Sequence, residues 1–126
     1  MKILSLMPHM HLRGKDDTID LVSPEGKSER LLSVPSSFSW QTMYYLKEPR
    51  LAAMGSRLTV VAHYDNSANN PHNPNPNETV RWGEQSFHEM LGEIPDVAIP
   101  VNTNVRTVVA YQEKKPAGWT KQVKVD

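Results

Sequence analysis

The sequence predicts an all-β protein built as an antiparallel β-sandwich. Helix signals are poor: the chain has ten prolines and six glycines, and no window of about 11 residues or more keeps a 3.6-residue hydrophobic period. Short runs in which apolar and polar residues alternate recur instead, separated by clusters of turn-forming residues. Many short strands with turn signals between them are typical of a sandwich.

The first predicted strand is the short apolar run at the N-terminus, and the second puts Ile19 and Leu21 on one face. Pro24, Glu25 and Gly26 then form a tight turn. A strand before the long loop alternates best, with Leu58, Val60, Ala62 and Tyr64 on one face. The predicted strands are 2–7, 17–23, 28–34, 39–46, 56–64 and 104–113.

Residues 65–80 are predicted to be a long surface loop, because they hold six asparagines and three prolines, and these residues favour turns over strands. Residues 84–91 fit a helical turn or a strand equally well. The prediction is therefore one domain over residues 1–113, followed by a polar tail or linker over residues 114–126.

The composition excludes several classes of function. Fourteen basic residues balance fourteen acidic ones, so no net charge favours nucleic acid or an anionic membrane. The chain has no cysteine, which excludes a disulfide scaffold, a thiolate zinc site and a cysteine nucleophile. No run approaches the ~20 apolar residues of a membrane span.

A histidine pair is the strongest chemical signal. Residues 7–15 read MPHMHLRGK and place His9 and His11 two positions apart. In a strand both side chains point the same way, roughly 6.6 Å apart, and two imidazoles can then bind one metal ion. Met10 points to the opposite face. The alternative is that two histidines near a strand end simply face solvent.

Further ligands for such an ion are available. His63 ends a well-patterned strand, His72 lies in the long loop, and His88 and Met90 lie two positions apart. A thioether favours Cu(I), whereas imidazole accepts copper and zinc alike, so two histidines with a methionine indicate copper. Residue spacing does not choose among these candidates, and Met90 is equally typical of core filler.

Four stretches in order resemble the C-terminal domain of the copper type II, ascorbate-dependent monooxygenases. They are LMPHMHLRGK, WQTMYYL, AHYDNSANNPHNPNP and VRWGEQSFHEML, within residues 4–96. The family includes the peptidylglycine alpha-hydroxylating and dopamine beta-monooxygenases. The chain is most similar to bacterial relatives, in which such a domain is part of a larger exported protein.

This resemblance implies an eight- or nine-stranded, jelly-roll-like sandwich with one copper ion that cycles between Cu(I) and Cu(II). His9, His11 and Met90 match the family's copper ligands. The implied function is binding of copper and dioxygen for C–H hydroxylation of a small-molecule or peptide substrate. It also implies a periplasmic or extracellular location, with any signal peptide encoded upstream.

Two departures from the family pattern matter. Animal members carry a disulfide beside the methionine, whereas here Leu91 follows Met90, and His63 falls about where the second cysteine would be. His63 is therefore a candidate fourth ligand, a hydrogen-bonding neighbour, or a side chain that fills the space. The family also uses a second copper on a preceding domain, so electrons must come from another copper or redox domain or protein.

Two other functions remain open from the sequence. One is a non-catalytic copper module for electron transfer, sensing or storage. The other is a metal-free β-sandwich binding module that uses the Asn/Pro-rich loop between Tyr64 and Trp82.

Three minor expectations concern other side chains. Arg13 is expected at the surface. Asp16, Asp17 and Asp20 are expected to form a solvated strand entry. Trp40 and Tyr44 are expected to share a core-facing side of one strand.

Overall fold

The computed structural model describes residues 1–104, which form six strands in two antiparallel sheets. The strands are β1 (Lys2–Met10), β2 (Gly14–Val22), β3 (Ser28–Pro35), β4 (Tyr44–Leu51), β5 (Arg57–Tyr64) and β6 (Leu91–Ala98). One sheet has the order β4-β1-β6 and the other β3-β2-β5. The described residues contain no helix, and hence none that could cross a membrane. The all-β prediction is confirmed for this part of the chain.

One hydrophobic core joins the two sheets. Ile3 and Leu6 from β1 pack with Ile19 and Leu21 from β2, and all four are buried. Partly buried side chains from the other strands surround them: Leu31, Leu32, Leu46, Leu58, Val60 and Val97. The alternation predicted for residues 17–23 and 56–64 is confirmed, because apolar side chains on one face of β2 and β5 turn toward this core.

Residues 24–26 form the turn predicted between β2 and β3. The Gly26 N–H donates to the Ser23 carbonyl at 2.9 Å. Gly26 has a φ of 87°, a left-handed conformation that glycine adopts without steric cost. The loop prediction for residues 65–80 is also confirmed, since none of these residues lies in a strand.

The fourth strand starts later than predicted. β4 begins at Tyr44, and residues 36–43 run as an irregular segment in which the Trp40 N–H donates to the Ser37 carbonyl. Trp40 is 77 % exposed, so the expectation that it shares a core face with Tyr44 is wrong. The side chain of Gln41, rather than a paired strand, bonds the Met10 carbonyl at the end of β1.

β6 was not expected from the sequence, because Gly92 and Pro95 lie within it and both residues are rare in strand interiors. In the structure β6 lies at an edge of its sheet, with β1 as its one neighbour. Pro95 lies opposite Leu6 of β1, and a proline is tolerated in an edge strand because one side of that strand lacks a neighbour. The ambiguous segment 84–91 is a bent connection that leads into β6.

Two burial expectations are wrong. Arg13 is buried rather than at the surface, and so is Asp17. Asp17 shares the inward face of β2 with Ile19 and Leu21, so the two-residue period of the strand turns it toward the core. The predicted strand 104–113, apart from Asn104, and the predicted tail lie outside the described residues.

Candidate metal centre

The histidine pair lies at the end of β1. His9 is in the strand and His11 follows its last residue, Met10. The two imidazole rings are edge to face, with centroids 5.2 Å apart. Met10 is buried, as expected if strand alternation turns it away from His9. The structure therefore places the two rings side by side.

Gln41 fixes the tautomer of His9. The Gln41 side-chain N–H groups donate to the carbonyls of Met10 and Phe38, each at 3.2 Å. This orientation leaves Gln41 Oε1 facing His9 Nδ1 at 2.5 Å. An amide oxygen only accepts hydrogen bonds, so Nδ1 carries the proton and Nε2 carries the free electron pair.

A backbone carbonyl fixes the tautomer of His11 in the same way. His11 Nδ1 lies 3.2 Å from the His88 carbonyl oxygen, which also only accepts. Among residues 1–104, no hydrogen bond engages Nε2 of His9 or of His11. A metal-binding histidine characteristically uses one ring nitrogen for the metal and donates the other N–H to an oxygen. Both imidazoles show this arrangement.

The register of β1 with β6 relates Met90 to the pair. His9 lies opposite Gly92, and the pairing ends with Met10 opposite Leu91. His11 is the residue after β1 and Met90 is the residue before β6, so each lies one residue beyond this last pair.

Glu89 connects the histidine segment (residues 9–11) to the methionine segment (residues 88–90). Its carboxylate accepts the backbone N–H of His11 at 3.1 Å and that of Arg13 at 2.7 Å. Glu89 is buried, and burial is the main reason that its pKa is raised, although the two N–H donors act in the opposite direction. A buried carboxylate held by backbone donors is a rigid connection.

Arg13 forms hydrogen bonds to the long loop and to the segment before Met90. Its Nε donates to the Asn66 side-chain oxygen and its Nη1 to the Phe87 carbonyl, both at 2.8 Å. The Arg13 guanidinium also lies 4.0 Å from Glu89. The long loop and the segment before Met90 are thus both bonded to the turn that follows the histidine pair.

His88 is positioned by a glycine. A side-chain carbon at Gly83 would overlap the His88 ring, and the Gly83 N–H donates to the Glu89 carbonyl at 3.1 Å. The His88 ring also packs against Phe87, with centroids 4.6 Å apart. This packing holds the His88 carbonyl that accepts from His11.

His63 lies in a different setting. It is on β5 of the other sheet, opposite Asp16 of β2, and its Nδ1 lies 2.5 Å from an Asp16 carboxylate oxygen. Its side chain is 62 % exposed. Within residues 1–104 no three His, Cys, Asp or Glu side chains group closely enough to hold a metal ion. The structure brings His9 and His11 together without His63, and the role of His63 as a ligand stays a prediction.

A set of two carboxyl groups, that of the buried Asp17 and that of the partly buried Glu93, has oxygens that are covered from solvent. Asp17 on β2 has two carboxylate oxygens without a hydrogen-bond donor, and Glu93 on β6 has one. Burial, and then the neighbouring Asp16, raise the pKa of Asp17 to about 6. Burial, and then Asp17, raise the pKa of Glu93 to about 7.

Tyr64 borders this set and also contacts the methionine segment. Its hydroxyl donates to the Met90 carbonyl at 3.0 Å. Burial, and then the nearby charges of Glu89 and Asp17, raise the pKa of Tyr64. The hydroxyl therefore stays protonated and remains a hydrogen-bond donor at physiological pH.

Sequence reasoning singled out the two histidines that the structure brings together but missed the groups that orient them, and the role of Met90 as a ligand stays a prediction. Gln41 lies 32 residues from His9, and no local pattern marks it. Glu89 had a weak signal, because it directly precedes Met90, but its burial depends on long-range packing. The comparisons of the chain with family models, curated proteins and solved structures found no match.

Proposed function

We propose that this chain is the copper-binding domain of a copper-dependent monooxygenase, with one copper ion held by His9, His11 and Met90. The observation that carries the proposal is that both imidazoles have their proton on Nδ1 and leave Nε2 unprotonated. Each donates its Nδ1 proton to an amide or carbonyl oxygen, and each keeps Nε2 for a metal. The 5.2 Å between ring centroids suits two ligands of a single ion.

Met90 makes copper the preferred metal. The pairing of β1 with β6 supports its presence next to the end of the histidine strand, and a thioether sulfur binds Cu(I) better than it binds zinc. Glu89 would hold the histidine and methionine segments in register, and Gln41 and the His88 carbonyl would keep the rings in the ligating tautomer. His63 remains a candidate fourth ligand.

When bound, copper would supply one-electron chemistry with dioxygen for C–H hydroxylation of a small-molecule or peptide substrate. The electrons would come from another copper or redox domain or protein. The proposal includes a jelly-roll-like sandwich of about eight strands and a periplasmic or extracellular location. These parts rest on the resemblance of residues 4–96 to the copper type II, ascorbate-dependent monooxygenases.

The test is anaerobic loading with Cu(I), followed by metal analysis and X-ray absorption. We expect one copper per chain and a Cu–S contact that is lost in Met90→Leu. Met54→Leu is the matched control, because Met54 is 98 % exposed, and it should keep the Cu–S contact. A Cu–S contact that persists in Met90→Leu would rule out Met90 as the sulfur ligand.

The histidines are tested separately. We expect His9→Ala with His11→Ala to abolish stoichiometric binding, whereas His72→Ala, in the exposed loop, should leave it unchanged. Binding that survives the double change would overturn the copper proposal. Loss of a nitrogen ligand in His63→Ala would add His63 to the site.

Catalysis is tested by oxygen consumption with ascorbate, a redox partner and the longest parent protein that contains this chain. Consumption that depends on His9 and His11 would support a monooxygenase. Stoichiometric copper binding without consumption would replace it with a non-catalytic copper module.

A further inference from the structure

The two sheets leave four strands at their edges. Within residues 1–104 each sheet has three strands, so β3, β4, β5 and β6 each have one strand neighbour. An edge strand presents a row of unpaired N–H and C=O groups that another chain can pair with, and proteins commonly block it with proline, charged side chains or irregular pairing. An edge without such a block is therefore a candidate interaction surface.

Three of the four edges are blocked. β4 contains Pro49 among charged neighbours, and β6 contains Pro95. β3 ends at Pro35, and its pairing with β2 shifts register next to Asp20. Because proline has no N–H to donate to a neighbouring strand, these edges are poor templates for a further strand.

β5 is the exception among the described strands. It contains neither proline nor glycine, and it pairs with β2 without a register shift from Arg57 to His63. Among residues 1–104, β2 is the one segment whose backbone bonds to the backbone of β5. The free edge of β5 is therefore regular along its length.

The side chains of β5 are also incompletely covered. Val61, on the outward face, is 50 % exposed. Leu58 and Val60 turn toward the core but are only partly buried, whereas Ile19, on the central strand β2, is fully buried. A strand added along β5 would cover apolar surface on both faces of the sheet, which is favourable.

The charges at the two ends of β5 fit a second copy of the same strand. Arg57 begins the strand, and Asp65 directly follows its last residue, Tyr64. Antiparallel pairing of two copies brings the start of one β5 next to the end of the other, so each Arg57 approaches an acidic end. The ion pairs within residues 1–104 do not include Arg57. A two-fold interface is self-complementary in this way.

From these observations we infer that β5 pairs antiparallel with β5 of a second copy of this chain, which joins two three-stranded sheets into one continuous sheet. Val61 is midway between Arg57 and Asp65, so a pairing that brings these charges together puts the two-fold axis at Val61. The two Val61 side chains then lie opposite each other, and Thr59 lies opposite His63 of the partner subunit. The histidine pair belongs to the other sheet, so the inference needs no metal and stands apart from the proposed function.

The experiment measures self-association of the metal-free protein by sedimentation equilibrium over a range of concentrations. A chelator is present, so that a metal ion shared between histidines of two chains does not cause the association. We expect a monomer–dimer equilibrium that shifts toward the dimer as the concentration rises. A protein that stays monomeric at every concentration would overturn the inference.

Val61→Lys tests which edge is used. A lysine at the two-fold axis lies opposite its own copy, and like charges directly opposite each other are unfavourable, so we expect dimerisation to weaken at least about tenfold. Ile94→Lys is the matched control, because Ile94 is also 50 % exposed but lies on β6, and it should dimerise as the wild type does. Equal dimerisation of the two variants would exclude β5 as the interface.

A second arm keeps the test decisive if Val61→Lys does not fold. The chain has no cysteine, so a single introduced thiol reports on its own position. We expect Val61→Cys to form a disulfide-linked dimer under mild oxidation, because side chains directly opposite each other in paired strands approach within about 5 Å. Ile94→Cys should stay monomeric in a denaturing gel without reductant. Equal cross-linking of the two variants, or none in Val61→Cys, would contradict pairing at Val61.

Discussion

Single side chains decide the chemistry of the histidine pair. An imidazole binds a metal through the nitrogen that lacks a proton, and here two oxygen acceptors determine which nitrogen that is for His9 and for His11. The acceptors come from Gln41 and His88, which are distant from both histidines in the chain. The metal-binding capacity of the pair therefore depends on groups that its own sequence does not contain.

Glu89 is the side chain whose loss we expect to be most damaging. A glutamine side chain has only one acceptor oxygen for the backbone N–H groups of His11 and Arg13. Its NH₂ group would face the second N–H, and two donors cannot bond each other. We expect Glu89→Gln to lower the free energy of unfolding by about 2–4 kcal/mol, as for a broken buried polar network. Urea denaturation measures this, and Glu84→Gln, at an exposed position, is the control. Equal stability of the two variants would contradict the role assigned to Glu89.

The elements meet at the turn between β1 and β2. Arg13 there bonds the long loop through Asn66 and the segment before Met90 through Phe87. Within the loop, asparagine side chains accept backbone N–H groups two residues later, as Asn70 does from His72 and Asn73 from Asn75. Asparagine-rich composition therefore predicts turns correctly, but the anchoring of the loop depends on an arginine about 50 residues earlier.

Arg13→Lys tests that anchor. A lysine keeps the charge but cannot reproduce the two directed bonds of the guanidinium. We expect it to lower the free energy of unfolding by about 2 kcal/mol and to speed amide hydrogen exchange in residues 65–80. Arg57→Lys, at the exposed start of β5, should change neither quantity. Unchanged exchange in Arg13→Lys would mean that other contacts hold the loop.

Each sheet carries one covered carboxyl group, that of the buried Asp17 on β2 and that of the partly buried Glu93 on β6. Burial raises both pKa values, to about 6 and about 7, above the ordinary values of 3.8 and 4.5. A carboxyl whose pKa is higher in the folded state binds its proton more tightly there. The protonated carboxyls of Asp17 and Glu93 therefore stabilise the folded state most below about pH 4. This stabilisation is lost as the pH rises to about 7.

We therefore expect the free energy of unfolding to fall between pH 4 and pH 7 in the wild type. Asp17→Asn carries no charge at this position, so it should be about 1–3 kcal/mol more stable than the wild type at pH 8. The two proteins should converge near pH 4. Denaturant titrations at several pH values measure this. A wild type that gains stability across this range would contradict the assignment.

Local patterns were sufficient for part of this protein. The two-residue period predicted the all-β class and the inward faces of β2 and β5, because strand alternation is a property of neighbouring residues. The same reasoning singled out His9 and His11. It failed for Trp40 and for β6, since an exposed tryptophan and a proline-containing edge strand are decided by which elements pair.

Only the tertiary structure decided the surroundings of the site. Pairing of β1 with β6 places Met90, the residue before β6, one residue beyond the last pair at the end of the histidine strand, and packing between segments distant in the chain buries Arg13, Asp17 and Glu89. These are charged residues that a sequence pattern assigns to the surface. Their burial depends on contacts between residues far apart in the chain, so the histidine pair could be predicted from the sequence while the network that orients it could not.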